Sequence, residues 1–539
     1  MVLDAGRPAT HNAPPTAKHP LASIEPIAVL SPPTPAARPL GEELFCTEHL
    51  HEDLKGRSVR GGTVTLAAQG IKFALGLGST VVLARLLTPA DFGLVAMVTA
   101  LTGFVAMFKD AGLSLATVQR NEINHAQVST LFWINVAASV ALMLVLATLA
   151  PAIAWFYGRP ELVYVTLAIA ATFVLGGLTP QHAALLKRQM RFTALAAKEI
   201  TAMACGMVVG MTLAWLGARH WALVAMGATS SLVAAVMVWG LTGWVPGLPR
   251  RGTGIRPMLR FGGNLTAAKF VNHFSRNADN ILIGWFWGAG ALGLYHKAYA
   301  LMALPINKIF EPLGNVTVPA LSRLQNDPAR YRQYYFKAVN SVAWLTMPLV
   351  ALLAAAAGPI ILLVLGAQWE GAIPIFQILA VASVFRPIYS SVRWIFYSTG
   401  NGGGLLRLRC ALAPLFFGCF VLGLPYGPAG VAAAYTIGFL LAFPFVLGYA
   451  FRGTRLTLTG LAAALWCPAV TALGMAAGAW GVGALAPAPD PADQLVLAGL
   501  GAVLGAATSL LVPAVRGELF QVATALRSGL GARTSPGSR

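Results

Sequence analysis

Long apolar runs follow one another along the chain from Thr63 to Pro513. Each run is about 20 residues long, and a helix of that length crosses the roughly 30 Å hydrocarbon core of a bilayer. The pattern predicts an all-α, polytopic membrane protein with about fourteen transmembrane helices. The predicted spans are 63–86, 92–112, 126–150, 161–184, 197–217, 220–243, 262–287, 292–318, 338–364, 373–397, 405–424, 428–450, 456–483 and 492–514.

The loops between these spans alternate in charge. Every second loop is rich in Lys and Arg, whereas the others hold little beyond Arg159 and Arg219. Because basic loops stay on the cytoplasmic side, we expect both chain termini there. The basic loops carry Lys109, Arg120, Lys187, Arg188, Arg191, Arg250, Arg251, Arg256, Arg323, Arg330, Arg332, Lys337, Arg407, Arg409, Arg452 and Arg455.

One span, whose helix begins at Asn264, carries a polar stripe at three- and four-residue steps. At about 100° per residue, the stripe covers roughly one third of the helix circumference. An ionisable residue near the bilayer centre costs about 2.5 to 3.5 kcal/mol, so we expect the stripe to line a water-filled cavity. Its residues are Lys269, Asn272, His273, Arg276, Asp279 and Asn280.

The chain also repeats itself at an offset of 200 residues without a gap. Gln69 and Lys72 of the first span fall in the same register as the polar stripe. We therefore expect each half of the chain to turn polar residues toward a shared axis, as in transporters built from parallel repeats. The matches are Arg60, Gly62, Ala67, Ala68, Gly93, Leu94, Ala100 and Leu101 with Arg260, Gly262, Ala267, Ala268, Gly293, Leu294, Ala300 and Leu301.

Two further spans carry polar faces. Arg386, Arg393 and Tyr397 share one face of the first, and Glu311 lies near Asn307 on the second. Cations outnumber carboxylates in these spans, which favours an anionic ligand. The predicted substrate-binding residues are Gln69, Lys72, Lys269, Asn272, His273, Arg276, Asn280, Arg386, Arg393 and Tyr397.

Structural roles compete with binding for some of these side chains. Arg276 and Asp279 stand three residues apart and can neutralise each other. Arg386 can extend toward the membrane interface. Glu311 can form a solvated ion pair with Lys308.

Composition agrees with a membrane protein. The 539 residues are 57% hydrophobic and 11% charged, with a mean hydropathy of +0.68. The net charge is +19, but no nucleic-acid-binding motif accompanies it in the sequence. The five cysteines have no paired spacing, so neither a disulfide framework nor a metal site is predicted. P-loop and dinucleotide motifs are lacking too, which predicts a protein that is not an enzyme, has no catalytic residues and binds no cofactor.

Five segments resemble the Wzx-type lipopolysaccharide and exopolysaccharide flippases of the multidrug/oligosaccharidyl-lipid/polysaccharide exporter superfamily. The resemblance covers about residues 56 to 450 and is most specific from Ser275 to Gln325. The segments are Leu185–Phe192 (LLKRQMRF), Ser275–Gly284 (SRNADNILIG), Ala291–Tyr295 (ALGLY), Val318–Gln325 (VPALSRLQ) and Leu365–Trp369 (LGAQW).

The resemblance implies two pseudo-symmetric six-helix lobes plus two C-terminal helices. The expected divisions are a disordered cytoplasmic tail at 1–56, lobes at 57–250 and 251–452, the two extra helices at 453–515 and a cytoplasmic tail at 516–539. It further implies alternating access and a substrate of undecaprenyl-diphosphate-linked oligosaccharide, moved from the inner to the outer leaflet of the bacterial plasma membrane.

Two other functions stay open at this point. A drug or metabolite exporter of the same superfamily would need acidic lining for cationic drugs, and a scaffold of the polysaccharide assembly machinery would not transport at all. Transport without ATP requires an ion gradient or removal of product by a polysaccharide polymerase or copolymerase. For an H+ or Na+ counter-ion, the candidate carboxylates are Glu311, which we favour, and Asp279, which we expect to orient Arg276.

Overall fold

A computed structural model describes Leu44, Phe45 and residues 54–518, apart from 107, 109, 111, 121, 251, 253 and 487. The side chains of residues 54, 55, 106, 256, 257, 260–276 and 305 also lie outside this description. Within it the regular structure is helical, without strands. Most of the two predicted tails, 1–56 and 516–539, falls outside the described residues.

Sixteen α-helices make up the described part of the chain. They are α1 Leu54–Leu86, α2 Pro89–Ala106, α3 Leu113–Gln119, α4 His125–Tyr157, α5 Leu162–Gly177, α6 Pro180–Arg188, α7 Phe192–Trp215, α8 His220–Thr242, α9 Arg256–Arg323, α10 Pro328–Ala355, α11 Ala357–Val364, α12 Ala372–Ser398, α13 Gly402–Gly423, α14 Gly427–Phe451, α15 Leu458–Leu485 and α16 Pro491–Ser509.

Local sequence sets several helix ends. Asn124 caps α4 and forms a reciprocal capping box with Gln127. Asn401 caps α13 by accepting a hydrogen bond of 2.9 Å from the backbone N–H of Gly404. At the other end of α4, Gly158 stops the helix in a left-handed conformation with φ of 64°.

The predicted apolar runs coincide with these helices. In the described residues, ten helical stretches are long and apolar enough to cross a membrane. Some predicted spans comprise two helices in succession, such as 161–184 with α5 and α6. The prediction of an all-helical, multi-pass membrane protein is confirmed, while the number fourteen, the two lobes and the position of the termini stay predictions.

The 68-residue helix α9 contains two of the predicted spans, 262–287 and 292–318. Its regular backbone is interrupted at Gly288, where φ is 79° and ψ is −174°. Glycine has no Cβ and adopts this positive φ without strain. We call the part before the break, residues 256–287, α9a, and the part after it, residues 289–323, α9b.

The largest apolar cluster joins the two halves of the chain. It packs α2 and the end of α1 against α9b and α12, with Trp369 fully buried at its centre. Trp369 donates a hydrogen bond of 2.8 Å from its Nε1 to the carbonyl oxygen of Ala84. A second large cluster lies among α10, α12, α14 and α15.

Two glycines bring α2 and α9b close together. A Cβ on Gly93 would lie 1.7 Å from the carbonyl oxygen of Ala289, and one on Gly293 would lie 1.8 Å from the carbonyl oxygen of Pro89. Gly93 and Gly293 differ by the 200-residue offset of the sequence repeat, and so do the residues they contact, Ala289 and Pro89. The repeat therefore corresponds to a pseudo-symmetric contact at this point, where only glycine fits.

Two residues of the predicted N-terminal tail are packed. Leu44 accepts a hydrogen bond of 2.9 Å from Gln189 Nε2, and the Phe45 ring meets His125 edge to face with centroids 6.0 Å apart. Both side chains pack against an apolar cluster that includes Trp244. The prediction of disorder therefore does not describe these two residues.

Candidate substrate cavity

A cavity of about 430 Å³ lies between α9, α12, α13 and α14. Three arginines and two carboxylates reach it, and aromatic and aliphatic side chains form most of the remaining wall. The lining residues are Asp279, Tyr299, Ile306, Asn307, Phe310, Glu311, Arg386, Tyr389, Ser390, Val392, Arg393, Leu405, Leu408, Arg409, Leu412, Ala413, Phe416, Phe420, Tyr435, Phe439 and Val446.

Helix periodicity places two of the arginines on one wall. Arg386 and Arg393 stand seven residues apart on α12, about two turns, so both face the cavity. The guanidinium of Arg386 donates a hydrogen bond to the Tyr299 hydroxyl and lies 4.9 Å from the centroid of the same ring. These contacts with α9b hold Arg386 inside the protein, at the cavity.

Arg393 is positioned by an aromatic ring of the opposite helix. Its guanidinium lies 5.4 Å from the Phe310 ring centroid, and its Nε donates a hydrogen bond of 3.4 Å to the Ser390 carbonyl oxygen. Phe310 stacks on Trp394 in turn, with centroids 4.9 Å apart and planes at 9°. Ring contacts of this kind orient a guanidinium group.

The third arginine, Arg409, comes from α13. Arg409 falls inside the predicted span 405–424, although it was counted among the basic cytoplasmic residues and not among the substrate-binding ones. The Asn401 cap starts α13 at Gly402, so Arg409 lies two turns inside the helix and faces the cavity. Arg407 of the same helix is exposed and is not among the lining residues.

The two carboxylates differ in their surroundings. Asp279 is 7% exposed, and it accepts hydrogen bonds of 3.0 Å from the Tyr295 hydroxyl and 2.8 Å from the backbone N–H of Asn280. Glu311 is exposed and lies on the α9b wall near Asn307. The first carboxylate is thus fixed in the protein, whereas the second is open to the cavity.

Aromatic side chains close the cavity opposite α9b. Tyr389 and Phe439 have ring centroids 5.1 Å apart. Tyr435 lies 5.5 Å from Phe416 and 5.9 Å from Phe420. Aromatic rings of α12, α13 and α14 therefore line the cavity on some of the same helices as the arginines.

The chain matches a known protein family over more than half of its length. A family model described as "Polysaccharide biosynthesis protein" matches residues 82–374, more than half of the sequence. The chain belongs to this family. The resemblance to Wzx-type proteins is thereby confirmed.

Two curated relatives support the Wzx-type assignment. The lipopolysaccharide biosynthesis protein WzxC of Escherichia coli (strain K12) is 25% identical over 394 residues, which cover 72% of this chain and 79% of WzxC. The teichuronic acid biosynthesis protein TuaB of Bacillus subtilis (strain 168) is 28% identical over 347 residues, which cover 64% of this chain and 70% of TuaB.

A solved structure shares the fold of this Wzx-type protein. The lipid II flippase MurJ, in an inward closed conformation, aligns with a TM-score of 0.65 over 84% of this chain and 98% of that chain. Because the sequence identity is 15%, the alignment establishes the fold and nothing further.

Several of the predicted site residues of this Wzx-type chain meet at the cavity. Asp279, Arg386, Arg393 and Glu311 all line it. Asn280 follows Asp279 directly and donates its backbone N–H to that carboxylate. The side chains of Lys269, Asn272, His273 and Arg276 lie outside the described residues, as does the predicted pairing of Arg276 with Asp279.

Three other predicted residues lie elsewhere. Lys72 forms an ion pair of 2.5 Å with Glu199, between α1 and α7. Gln69 is exposed on α1, and Tyr397 is 55% exposed near the end of α12. None of the three is among the lining residues of the described cavity.

Sequence reasoning missed Tyr299, Tyr435 and Arg409 as lining residues. Tyr299 and Tyr435 stand in apolar spans, where a tyrosine is usually assigned to packing or to the interface. For Arg409 the sequence held a usable signal, because the predicted span 405–424 includes it and the Asn401 cap starts the helix three residues earlier.

Proposed function

We propose that this protein is a flippase for lipid-linked oligosaccharides. It moves undecaprenyl-diphosphate-linked repeat units from the inner to the outer leaflet of the bacterial plasma membrane by alternating access. The family, the names of WzxC and TuaB, and the fold shared with MurJ support transport for polysaccharide biosynthesis. In this proposal both termini are cytoplasmic.

The observation that carries the proposal is the cavity with Arg386, Arg393 and Arg409. Two carboxylates face three guanidinium groups there, which leaves an excess of positive charge among membrane-spanning helices. Charged side chains among membrane-spanning helices favour a polar site, and an anionic ligand suits a site rich in arginine. Guanidinium groups suit phosphate and carboxylate because they donate two parallel hydrogen bonds to either group.

The shape of the cavity fits one part of such a substrate. Its volume of about 430 Å³ falls within the roughly 300–1,000 Å³ of typical ligand sites. We assign the arginines to the diphosphate or to acidic sugars, and the aromatic wall around Tyr389 and Phe439 to sugar rings. The polyprenyl chain stays in the bilayer, since only the polar part needs shelter from hydrocarbon.

Energy for directional transport comes, in this proposal, from an H+ or Na+ gradient or from removal of product by a polymerase or copolymerase. Glu311 and Asp279 are the proposed ion-coupling carboxylates. Glu311 is open to the cavity, so it can exchange a cation with water. Asp279 is held by Tyr295 and takes part in the charge balance of the arginines.

The alternative of an exporter for cationic drugs is less well supported. Such a substrate favours an acidic cavity, whereas arginines outnumber carboxylates here. A scaffold without transport does not account for a ligand-sized cavity with converging cations.

Deletion of the gene, followed by analysis of lipid-linked oligosaccharides, tests the proposal. A flippase defect leaves complete repeat units in the cytoplasmic leaflet. The chain itself should restore export, and its Arg386→Ala variant should not. Normal export in the deletion strain would contradict the proposal.

A further inference from the structure

A partly buried lysine lies where α9b packs against α2. The ammonium group of Lys297 lies 3.9 Å from the centroid of the Phe92 ring. Phe92 is 9% exposed, and its ring meets Trp369 edge to face with centroids 5.4 Å apart. The three side chains form a contact between α2, α9b and the loop before α12.

Apolar side chains of the largest cluster lie around this contact. Leu94, Leu292 and Ala298 belong to the same buried cluster as Phe92 and Trp369. One residue beyond Phe92, the glycine contacts of Gly93 and Gly293 bring the backbones of α2 and α9b together. In the part of the chain that the structure describes, none of the ion pairs includes Lys297.

The contact is costly for a charged amine. Transfer of an ammonium group from water to an apolar site is strongly unfavourable unless an anion pairs with it. The face of an aromatic ring offsets part of this cost, because its electron density is negative. A state in which Lys297 meets an anion is therefore favoured over the one in which it meets only Phe92.

Lys297 lies on the helix that lines the cavity, but on the opposite side of that helix. It lies two residues before Tyr299, on the opposite side of α9b, so Tyr299 faces the cavity while Lys297 faces α2. If α2 and α9b separate during transport, Phe92 leaves with α2 and Lys297 is exposed on the helix that carries the cavity wall.

We propose that Lys297 is a binding residue for a diphosphate group, covered by Phe92 while α2 and α9b are in contact and released when they part. This inference rests on the proposed function, because it assumes that α2 and α9b separate and that the substrate carries a diphosphate. Phe92 then occupies the place of the anion in the closed state.

Affinity measurements on the full-length protein in nanodiscs test this role. The probes are undecaprenyl diphosphate, uncharged undecaprenol, and inorganic pyrophosphate in the buffer. Lys297→Met should weaken binding of undecaprenyl diphosphate by about tenfold or more, since it removes a charge-assisted hydrogen bond. Lys297→Arg should retain most of it. Lys308→Met is the matched control, because Lys308 is exposed on the same helix.

A second measurement needs no substitution at Lys297. Acylation by an amine-reactive reagent, read residue by residue by mass spectrometry, should be slow at Lys297 and faster in Phe92→Leu. Undecaprenyl diphosphate should protect Lys297 in that variant, and undecaprenol should not. Lys308 should react equally in every sample.

The outcomes distinguish a failure of the role of Lys297 from a failure of the proposed flippase function. Pyrophosphate that competes in a Lys297-dependent manner supports a site for the diphosphate group itself, and undecaprenyl diphosphate alone supports a site that also needs the lipid. Equal affinity in Lys297→Met and the unsubstituted protein, or acylation at Lys297 that Phe92→Leu leaves unchanged, would overturn the role of Lys297 alone. If the unsubstituted protein fails to bind undecaprenyl diphosphate, the proposed function falls with it.

Discussion

Tyr295 donates a hydrogen bond of 3.0 Å to Asp279, and this bond connects α9a with α9b across the break at Gly288. The tyrosine is 1% exposed. One turn further along α9b, Tyr299 accepts a hydrogen bond from Arg386 of α12. The Tyr295 and Tyr299 rings stack with centroids 6.4 Å apart, so the break in the longest helix and the charged cavity are linked through these two tyrosines.

The two carboxylates at the cavity should give different phenotypes. Glu311→Gln should abolish the dependence of transport on a pH or sodium gradient, because it removes the exchangeable charge. Asp279→Asn should mainly change substrate affinity, by about tenfold or more, since it removes a charge from the arrangement that includes Arg386. Transport by reconstituted protein with imposed gradients checks both variants. Full gradient-driven transport by Glu311→Gln would contradict the role of Glu311 as the coupling carboxylate.

Arg409 should be required for export, and Arg407 should not. The two residues share α13, but only Arg409 lines the cavity, so Arg409→Ala removes a partner for the anion and Arg407→Ala is the matched control. We expect a loss of about tenfold or more in export with Arg409→Ala. Arg409→Lys should be milder, because lysine keeps the charge but loses the bidentate geometry. Measurement of polysaccharide at equal protein level checks this prediction, and equal losses in both alanine variants would refute it.

The contact between α2 and α9b should tolerate no side chain at Gly93. In Gly93→Ala the new Cβ meets the Ala289 carbonyl oxygen, so the helices must move apart at a cost of about 1–3 kcal/mol. Gly290→Ala should be neutral or stabilising, because nothing lies within 4 Å of a Cβ there. Thermal unfolding of the purified protein in detergent distinguishes the two. The prediction fails if Gly93→Ala melts at the same temperature as Gly290→Ala.

The proposed orientation can be tested with single cysteines in a protein freed of its native ones. Glu370→Cys and Asp490→Cys should react with an impermeant reagent from outside intact cells, whereas Asn326→Cys should react only after the cells are opened. All three residues are exposed, so a difference in labelling reports the side of the membrane. Labelling of Asn326→Cys in intact cells would invert the orientation.

The hydropathy pattern predicted the helices well, because span length and apolar composition are local properties of the sequence. It did not predict that the spans 262–287 and 292–318 form one helix interrupted at Gly288. A single glycine in an apolar run does not reveal its φ angle, which tertiary packing decides. The offset of 200 residues correctly related Gly93 to Gly293, although the sequence alone did not show that they contact each other's helix.

The candidate site was only partly predictable. Periodicity placed Arg386 and Arg393 on one face because seven residues make about two turns, and the structure puts both at the cavity. Periodicity could not reveal which neighbouring helix supplies the opposite wall. Lys72 was predicted to bind substrate from its helical register alone. The structure shows it in an ion pair with Glu199 of α7, a contact that the register of α1 does not reveal.

The most direct test of the account is lipid flipping by the purified protein in vesicles. A fluorescent undecaprenyl-diphosphate oligosaccharide is placed in both leaflets, and an impermeant reductant then destroys the fluorophore on the outside. We predict that vesicles with the protein lose nearly all fluorescence, whereas protein-free vesicles and vesicles with the Arg386→Ala, Arg393→Ala, Arg409→Ala triple variant keep the inner-leaflet signal. Equal loss with the triple variant, or no loss beyond the outer leaflet with the unsubstituted protein, would contradict an arginine-lined path for a lipid-linked diphosphate.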